Sequence, residues 1–203
     1  MDDSAWDEIL AAAQAAPYPV EMLPPDAHRA ETCLARLGIT TRSWLGAVVA
    51  HTGGIRVDHG WLRVLGSGRD GLPDVLNQAD PASRSLMVGH DVLGGQFAWA
   101  PAAPGTAPTI HYFAPDDLGW LDLEQGYADW LHSVLAGSLT QFYESLRWPG
   151  WEAEVAALRL DEGIHTWPPP STAEGEDLSK ASRKAVPMAE LVSFHHEMAR
   201  QLG

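Results

Sequence analysis

The segment HTGGIRVDHGWLRVLGSG, residues 51–68, decides the fold of this 203-residue chain. Its glycines mark the boundaries of short elements, because glycine accepts the backbone conformations of turns and helix ends most readily. Gly53-Gly54 falls where a preceding helix would end. Asp58-His59-Gly60 predicts a tight turn between two short strands, and Gly66-Ser67-Gly68 closes the second strand. The segment therefore predicts a helix that leads into a β-hairpin.

The flanking sequence adds helices and strands on both sides of this hairpin. Apolar periodicity, capping residues and prolines predict helices over residues 6–16, 26–37, 44–51, 151–158 and 187–201, and a helical signal from Asp122 to residue 146 that bends at Gly137. Alternating patterns predict strands over residues 55–57, 61–65, 86–90, 96–99 and 109–113. Residues 168–186 are rich in proline and charge and predict a loop. The mixture indicates an α+β protein.

The length fits one domain that can bury a sizeable core without disulfides. We expect a single domain over residues 1–203, with a core over about 1–150 and a helical appendage over about 151–203. The one cysteine, Cys33, excludes an internal disulfide.

The start of the chain is acidic and lacks the pattern of a signal peptide. The longest stretch without a charged residue, 92–115, is broken by prolines and glycines and cannot form a membrane helix. A cytoplasmic protein with no membrane partner is the simplest expectation.

The formal net charge of −14 disfavours general binding to nucleic acid, because such a protein repels phosphate backbones. Two explanations of this charge stay open. It can serve solubility alone, or it can attract a basic protein partner over long range.

Searches for catalytic and metal-binding patterns give no assignment. The G-x-S-x-G nucleophile motif, the phosphate-binding loop, H-E-x-x-H and C-x-x-C are all absent from the sequence. Asp58 and His59 are neighbours on an extended segment, so their side chains point to opposite faces and form a poor catalytic pair. His195 and His196 diverge by about 100° on a helix and are poor ligands for one ion. We assign no catalytic residue, no cofactor and no metal ligand.

Charged residues cluster at two places. Asp116, Asp117, Asp122, Glu124 and Asp129 make a dense acidic region, which is either a solvated face or a docking surface for lysine and arginine. Lys180, Arg183 and Lys184 form a tight basic cluster. We expect this cluster to hold the C-terminal segment against the acidic body, although anion binding stays open.

Several motifs together resemble an uncharacterised bacterial family, the domain-of-unknown-function family 2625. They are TRSWLGAVVAHTGGIRVDHGWLRVLGSG, LMVGHDVLGGQFAW, IHYFAPDDLGW, FYESLRWPGW and SRKAVPMAE. The resemblance covers nearly the whole chain, from about Trp6 to Ala199. Where the family pattern has paired acids before VLGG, this chain has His90-Asp91, so only Asp91 matches. The family implies no catalytic residues.

The order of the parts is also similar to that of the wider SUKH superfamily. This resemblance implies a mainly antiparallel sheet of about five or six strands flanked by helices. Many SUKH domains act as immunity proteins that bind and neutralise toxins. The resemblance therefore implies a non-enzymatic binding module that neutralises a toxin, and the net charge of −14 favours a basic toxin domain as the partner.

Two functional hypotheses follow, and a purely structural role also stays open. The first is the immunity-type binding module, which would use acidic and aromatic surface residues. The second is a small-molecule enzyme or ligand-binding protein with a cleft near the strand ends. This cleft would lie near His59, Trp61, Arg63, Asp91 and His111. The binding residues predicted for these two hypotheses are Trp61, Arg63, Asp91, Asp116, Asp117, Asp122 and Asp129.

Overall fold

The structure is a computed structural model that describes residues 4–80, 82 and 84–202. Residues 1–3 and 203, which the predicted domain includes, lie outside the described residues. The helices are α1 (Ser4–Gln14), α2 (Ala27–Leu37), α3 (Trp44–His51), α4 (Tyr127–Leu135), α5 (Leu139–Phe142), α6 (Trp151–Ala156) and α7 (Met188–Leu202). The strands are β1 (Val20–Leu23), β2 (Gly54–Val57), β3 (Leu62–Leu65), β4 (Ala79–Asp80), β5 (Ser85–Asp91), β6 (Gln96–Pro101), β7 (Pro108–Phe113), β8 (Trp120–Asp122), β9 (Glu162–Trp167) and β10 (Ser182–Pro187).

The fold is α+β, and its main sheet is antiparallel. Seven strands follow the order β1-β2-β3-β5-β6-β7-β8, and β4 pairs with the start of β5. The sheet is larger than the predicted five or six strands because it gains the short strands β1, β4 and β8. A separate antiparallel hairpin, β9–β10, lies in the C-terminal region.

Two neighbouring residues of β6 show which layer covers each face of the main sheet. The ring of Phe97 lies 5.2 Å from that of Trp130 in α4, whereas the side chain of Gln96 bonds to His196 in α7 at 2.6 Å. Successive side chains of a strand point to opposite faces. Helix α4, which packs with α1 and α3, therefore covers one face, and α7 with the β9–β10 hairpin lies on the other.

The predicted helix caps around α2 and α3 are confirmed. The side chain of Asp26 accepts a hydrogen bond from the Arg29 N–H, and Gly38 ends α2 in the left-handed conformation. Ser43 accepts from the N–H of Gly46 at the start of α3. A β-carbon at Gly46 would lie 1.9 Å from the carbonyl oxygen of Thr40, so this position admits no side chain.

The predicted turn between β2 and β3 is also confirmed. Asp58 and His59 have φ of 55° and 60°, and Gly60 has φ of 89°. Positive φ at both central residues is typical of the hairpin turns whose twist matches that of the paired strands. The glycines of residues 51–68 thus shape the backbone, as the sequence predicts.

Two sequence-based predictions about elements are wrong. Asp122 was expected to begin a helix, but it ends strand β8, and α4 begins five residues later at Tyr127. The predicted loop over residues 168–186 contains most of β10. The predicted C-terminal helical region is present as α6 and α7, with the β9–β10 hairpin between them. The predicted bend at Gly137 is confirmed, since this glycine separates α4 from α5 with φ of 109°.

None of the described helices combines the length and the apolar character that a bilayer crossing requires.

Arg63 joins the C-terminal region to the sheet. The Nη1 of this buried arginine donates to the carbonyl oxygens of Leu160 at 3.0 Å and Glu162 at 2.5 Å. Burial lowers the pKa of Arg63 to about 10, so the guanidinium remains charged at neutral pH. A charged donor makes stronger hydrogen bonds than a neutral one, so Arg63 fixes the entry to β9.

His90 pairs with Arg63 across β3 and β5 on the same face. Burial, with a smaller effect from the positive charge of Arg63, lowers the pKa of His90 to about 3. The ring is therefore neutral in the folded protein at neutral pH, whereas a histidine in an unfolded chain has a pKa of about 6.5.

We predict that this histidine makes the protein less stable in mild acid. Its folded pKa is depressed, so the unfolded state binds more protons as the pH falls below about 6.5, and stability is lost between that value and the folded pKa of about 3. From about pH 7 to about pH 5, His90 alone should lower the free energy of unfolding by about 2 kcal/mol. Urea denaturation at the two pH values measures the change.

The variant His90→Phe should remove about 2 kcal/mol of this pH dependence, and His28→Phe, at an exposed position of α2, should leave it intact. An equal pH dependence in the wild type and His90→Phe would show that His90 is not held neutral.

Candidate protein-binding edge and the buried network behind it

Asp91 ends β5 and accepts four hydrogen bonds inside the protein. Its Oδ1 accepts from the N–H groups of Leu93 and Gly95, each at 2.9 Å. Its Oδ2 accepts from the hydroxyls of Tyr112 at 2.8 Å and Tyr143 at 3.0 Å. Burial raises the pKa of Asp91, and the four hydrogen bonds oppose that shift. Asp91 therefore caps the turn that follows β5, and its 0% exposure means that this predicted binding residue presents no surface to a partner.

Trp61 also lies in the interior. Its ring is 0% exposed and packs on Tyr143, Trp148 and Trp151, with ring-centre distances of 5.4, 5.7 and 5.1 Å. The guanidinium of Arg147 lies 5.1 Å from the Trp61 ring, in a cation–π arrangement. Trp61 therefore belongs to the aromatic core beside the Asp91 network. Arg63, the other buried residue predicted to bind a partner, contacts the C-terminal region instead.

Asp58 and Arg147 form a buried ion pair at one end of this aromatic core. Arg147 donates from Nη2 to Asp58 Oδ2 at 2.5 Å, and both side chains are mostly shielded from solvent. Arg147 also lies over the ring of Trp151, 4.2 Å from its centre. The hairpin turn at residues 58–60 is thereby held against the segment that follows α5.

The Asp91 network supports an exposed edge of the sheet. Tyr112 is paired across β7 and β8 with Leu121, and the ring of Phe142 packs edge-on against Tyr112 at 5.0 Å. Leu121 is 60% exposed and Phe142 is 38% exposed. Asp91 holds Tyr112 directly, and it holds Phe142 through the adjacent Tyr143. The buried carboxylate thus positions two exposed apolar side chains.

Trp120 exposes a further large apolar surface at this edge. Its ring is 48% exposed and packs edge-on against Phe113, its partner across β7 and β8, at 5.4 Å. We call Trp120, Leu121 and Phe142 the edge patch. Strand β8 is the last strand of the sheet in the described structure, and its outer side pairs with no described strand.

The predicted acidic residues lie along the chain on both sides of β8. Asp116 and Asp117 lie in the turn that leads into β8, Asp122 ends β8, and Glu124 and Asp129 follow it. All are exposed except Asp122, which is partly exposed. We call these five residues the acidic rim. Hydrogen bonds from the N–H of Glu124 and from the side chain of Thr109 lower the pKa of Asp122, so it is ionised at neutral pH.

The charges of the acidic rim are not neutralised within the described chain. Over residues 4–80, 82 and 84–202, no lysine or arginine forms an ion pair with any of the five carboxylates. Opposite charges from another molecule can therefore approach this rim without displacing an internal partner.

The predicted basic cluster divides into separate contacts. Arg183 donates to both carboxylate oxygens of Glu154, at 3.0 and 3.2 Å, and lies over the ring of Trp148. It therefore holds β10 against α6 and the core, as expected for the cluster. Lys180 instead pairs with the nearby Asp177 at 2.8 Å.

The residues expected to form a cleft at the strand ends do not meet in one place. Asp91 and Trp61 lie in the core, whereas Arg63 faces the C-terminal region. His59 packs edge-on against Trp151, and His111 lies 3.3 Å from the hydroxyl of Thr109. In the described residues, no group of three or more histidine, cysteine, aspartate or glutamate side chains is arranged to hold a metal ion.

The chain matches the family model described as "Protein of unknown function DUF2625" over residues 1–191. The chain belongs to the DUF2625 family. It is similar to an Escherichia coli K12 protein described as "Putative uncharacterized protein YbfG", with 36% identity over 208 residues that cover 97% of this chain and 93% of the relative. It is also similar to a Haemophilus influenzae "Uncharacterized protein", with 34% identity over 167 residues that cover 77% of this chain and 73% of the relative. No solved structure matches it.

Reasoning from the sequence missed all three residues of the edge patch in this DUF2625 protein. Trp120 and Leu121 stand before Asp122, where a helix was expected, so their strand and its free edge were not recognised. The sequence signal was the alternation in GWLDL, residues 119–123, which is short but follows a turn rich in aspartate. Phe142 lies within the helical signal predicted from Asp122 to residue 146, whereas α5 ends at Phe142 in the structure.

We predict that Gly95→Ala disrupts the Asp91 network. A β-carbon at residue 95 would lie 2.1 Å from Asp91 Oδ2 and 2.6 Å from the hydroxyl of Tyr112, so the hydrogen-bonded groups would have to separate. The free energy of unfolding should fall by at least about 2 kcal/mol, as expected when a buried polar network is broken. Urea denaturation followed by tryptophan fluorescence measures it.

Gly126→Ala is the matched control. Gly126 has φ of −67°, and its β-carbon would approach nothing closer than Asp129 Oδ2 at 3.5 Å. This variant should change the free energy of unfolding by no more than about 0.5 kcal/mol. If the two glycine variants were equally stable, the network would not constrain the turn.

Proposed function

We propose that this DUF2625 protein is a non-enzymatic binding module that captures a basic protein partner at the β8 edge. The proposal depends on the exposure of Trp120 and Leu121 on β8, whose outer side pairs with no described strand, and on the neighbouring carboxylates along the chain, which form no ion pair with a described lysine or arginine. The proposal combines an apolar contact, an electrostatic attraction and a main-chain hydrogen-bonding edge.

The edge patch supplies the apolar contact. Interfaces commonly combine a desolvated apolar centre with a polar rim, and tryptophan is enriched among the residues that carry most of the binding energy. Trp120 and Leu121 are adjacent on β8, so their side chains project from opposite faces of the sheet. A partner that contacts both faces of the sheet at this edge can bury both side chains.

The acidic rim supplies the attraction. The whole chain carries a formal net charge of −14, and the five carboxylates of the rim lie within residues 116–129, the segment that contains β8. Such a field speeds the encounter with a cationic protein and repels acidic competitors. Lysine and arginine of the partner can pair with carboxylates that have no lysine or arginine partner in the described part of this chain.

The free side of β8 supplies main-chain donors and acceptors. An extended segment of a partner can add to such an edge as one more strand, with backbone hydrogen bonds giving affinity and side-chain contacts giving selectivity. The three parts together fit a basic protein that presents an extended segment.

We further propose that the partner is a toxin domain and that capture neutralises it, as immunity proteins of the SUKH superfamily do. The α+β architecture with an antiparallel sheet is compatible with this placement in the superfamily. Occlusion of the toxin by a bound acidic domain requires no catalytic residue. The proposed site of action is the cytoplasm.

The basic proteins encoded by the genes beside this one are the partners to test. Each is purified and its binding is measured by biolayer interferometry. We predict that one of them binds and that Trp120→Ala weakens its affinity by about thirtyfold or more, the loss expected for a tryptophan at an interface centre. Trp167→Ala is the matched control, because Trp167 is 61% exposed but lies on β9.

A second pair of variants tests the acidic rim. Asp116→Asn with Asp117→Asn should slow association severalfold at low salt, and the difference should vanish at about 0.5 M salt, where the charges are screened. Glu31→Gln with Glu152→Gln removes the same charge from exposed positions of α2 and α6 and should have a smaller effect. The proposal fails if no neighbouring basic protein binds, or if Trp167→Ala weakens binding more than Trp120→Ala.

A further inference from the structure

A cleft of about 560 Å³ lies between the main sheet and the start of α7. Its floor comes from the face of the sheet opposite α4, including Leu65, Met87 and His90. Its other wall comes from the C-terminal region, including Leu160, Met188 and Val192. This volume falls in the range of small-molecule sites, which is roughly 300–1,000 Å³. The cleft is separate from the β8 edge, since no residue of the edge patch or the acidic rim lines it.

The lining is largely apolar and carries a few polar side chains. They are Gln78, His90, Gln96, Asp161 and Ser193. An apolar cleft with a small number of convergent polar groups is the usual form of a small-molecule site. The apolar walls favour a ligand that is mostly apolar, and the polar groups can fix the orientation of that ligand.

Among the described residues that line the cleft, His90 is the one with a buried polar atom that has no hydrogen-bond partner. Its side chain is 7% exposed, and its Nε2 is buried with no hydrogen-bond partner among the described residues. Buried polar groups almost always find a partner, because leaving one unpaired is costly. The ring lines the cleft, so a molecule in the cleft can reach it.

Asp161 is the ionisable residue besides His90 that lines the cleft. Arg63, beside His90, does not line it: its Nη1 donates to two backbone carbonyls, and its buried Nε has no hydrogen-bond partner among the described residues. Asp161 receives two hydrogen bonds from Arg159, at 3.1 and 3.0 Å. His90 is itself uncharged at neutral pH. The other polar side chains of the lining, Gln78, Gln96 and Ser193, are neutral, which favours an uncharged ligand.

We propose that this cleft binds a small uncharged molecule with an apolar body and a hydroxyl group that hydrogen-bonds to His90. Neutral imidazole offers one donor and one acceptor, and a hydroxyl can satisfy either one. Binding of this kind is independent of the capture of a protein at the β8 edge and does not require it.

The probe for the cleft is N-phenyl-1-naphthylamine, an uncharged dye whose fluorescence rises in apolar surroundings. The wild type should bind it and Ala189→Trp should not, because Ala189 is an exposed residue of the cleft wall and a bulky ring there fills the space. Glu190→Trp is the matched control. It places the same ring on the next exposed residue of α7, which does not line the cleft, and should bind the dye normally.

The hydroxyl preference is tested by displacing the dye with benzyl alcohol and with toluene. The wild type should prefer benzyl alcohol by about three- to tenfold beyond the preference set by their partition into an apolar solvent, the gain expected from one hydrogen bond. His90→Phe should keep dye binding and lose this preference. Circular dichroism of each variant establishes that it is folded.

Two results would overturn the proposal. One is dye binding that Ala189→Trp and Glu190→Trp affect equally, which places the dye elsewhere. The other is equal displacement of the dye from the wild type by benzyl alcohol and by toluene, once their partition into an apolar solvent is allowed for. This result excludes a hydrogen bond to His90, and it can be obtained even if His90→Phe does not fold. Neither result bears on the capture of a basic protein at the β8 edge.

Discussion

The buried carboxylate of Asp91 is the constraint on which the rest of the structure depends. A carboxylate removed from water is costly unless donors surround it, and the fold brings four donors to this one. Two come from the turn that follows β5, and two come from tyrosines at residues 112 and 143. Distant parts of the chain must therefore reach fixed positions before the carboxylate is satisfied.

The turn at residues 91–95 is held from the other side of the sheet as well. The carbonyl oxygen of Val92 accepts from the N–H of Ile164 in β9, and that of Leu93 bonds to Nε2 of His195 in α7 at 2.8 Å. This turn thus links the α4 side of the sheet to the C-terminal region. It is also connected to both proposed binding surfaces: Asp91 bonds to Tyr112, which pairs with the β8 edge, and the preceding residue, His90, lines the cleft.

The sequence predicts those features that local physical chemistry determines. Gly53, Gly60 and Gly137 fall at element boundaries, Ser43 caps its helix, and Asp91 caps its turn. The exposure of the acidic rim also follows from its composition. All of these depend on residues a few positions apart, whose backbone preferences can be read directly.

What the sequence could not show depends on partners far along the chain. The sequence predicts Arg63 as a binding residue, but in the structure it donates to the carbonyl oxygens of residues 160 and 162. The sequence also predicts Trp61 as a binding residue, but in the structure the aromatic rings of residues 143, 148 and 151 enclose it. Strand β8 has only three residues and is stabilised by pairing with β7, so the aspartate at its end resembled a helix start. Trp120 was missed as a result.

The unfolding free energy of Asp91→Ala, measured by urea denaturation, tests this account most directly. Removing the carboxylate leaves two buried N–H groups and two buried hydroxyls without their acceptor, at about 1–3 kcal/mol for each group that stays unpaired. The account predicts a loss of at least about 3 kcal/mol, or failure to fold. A loss below about 1 kcal/mol would contradict it, because the four hydrogen bonds would then not determine the fold.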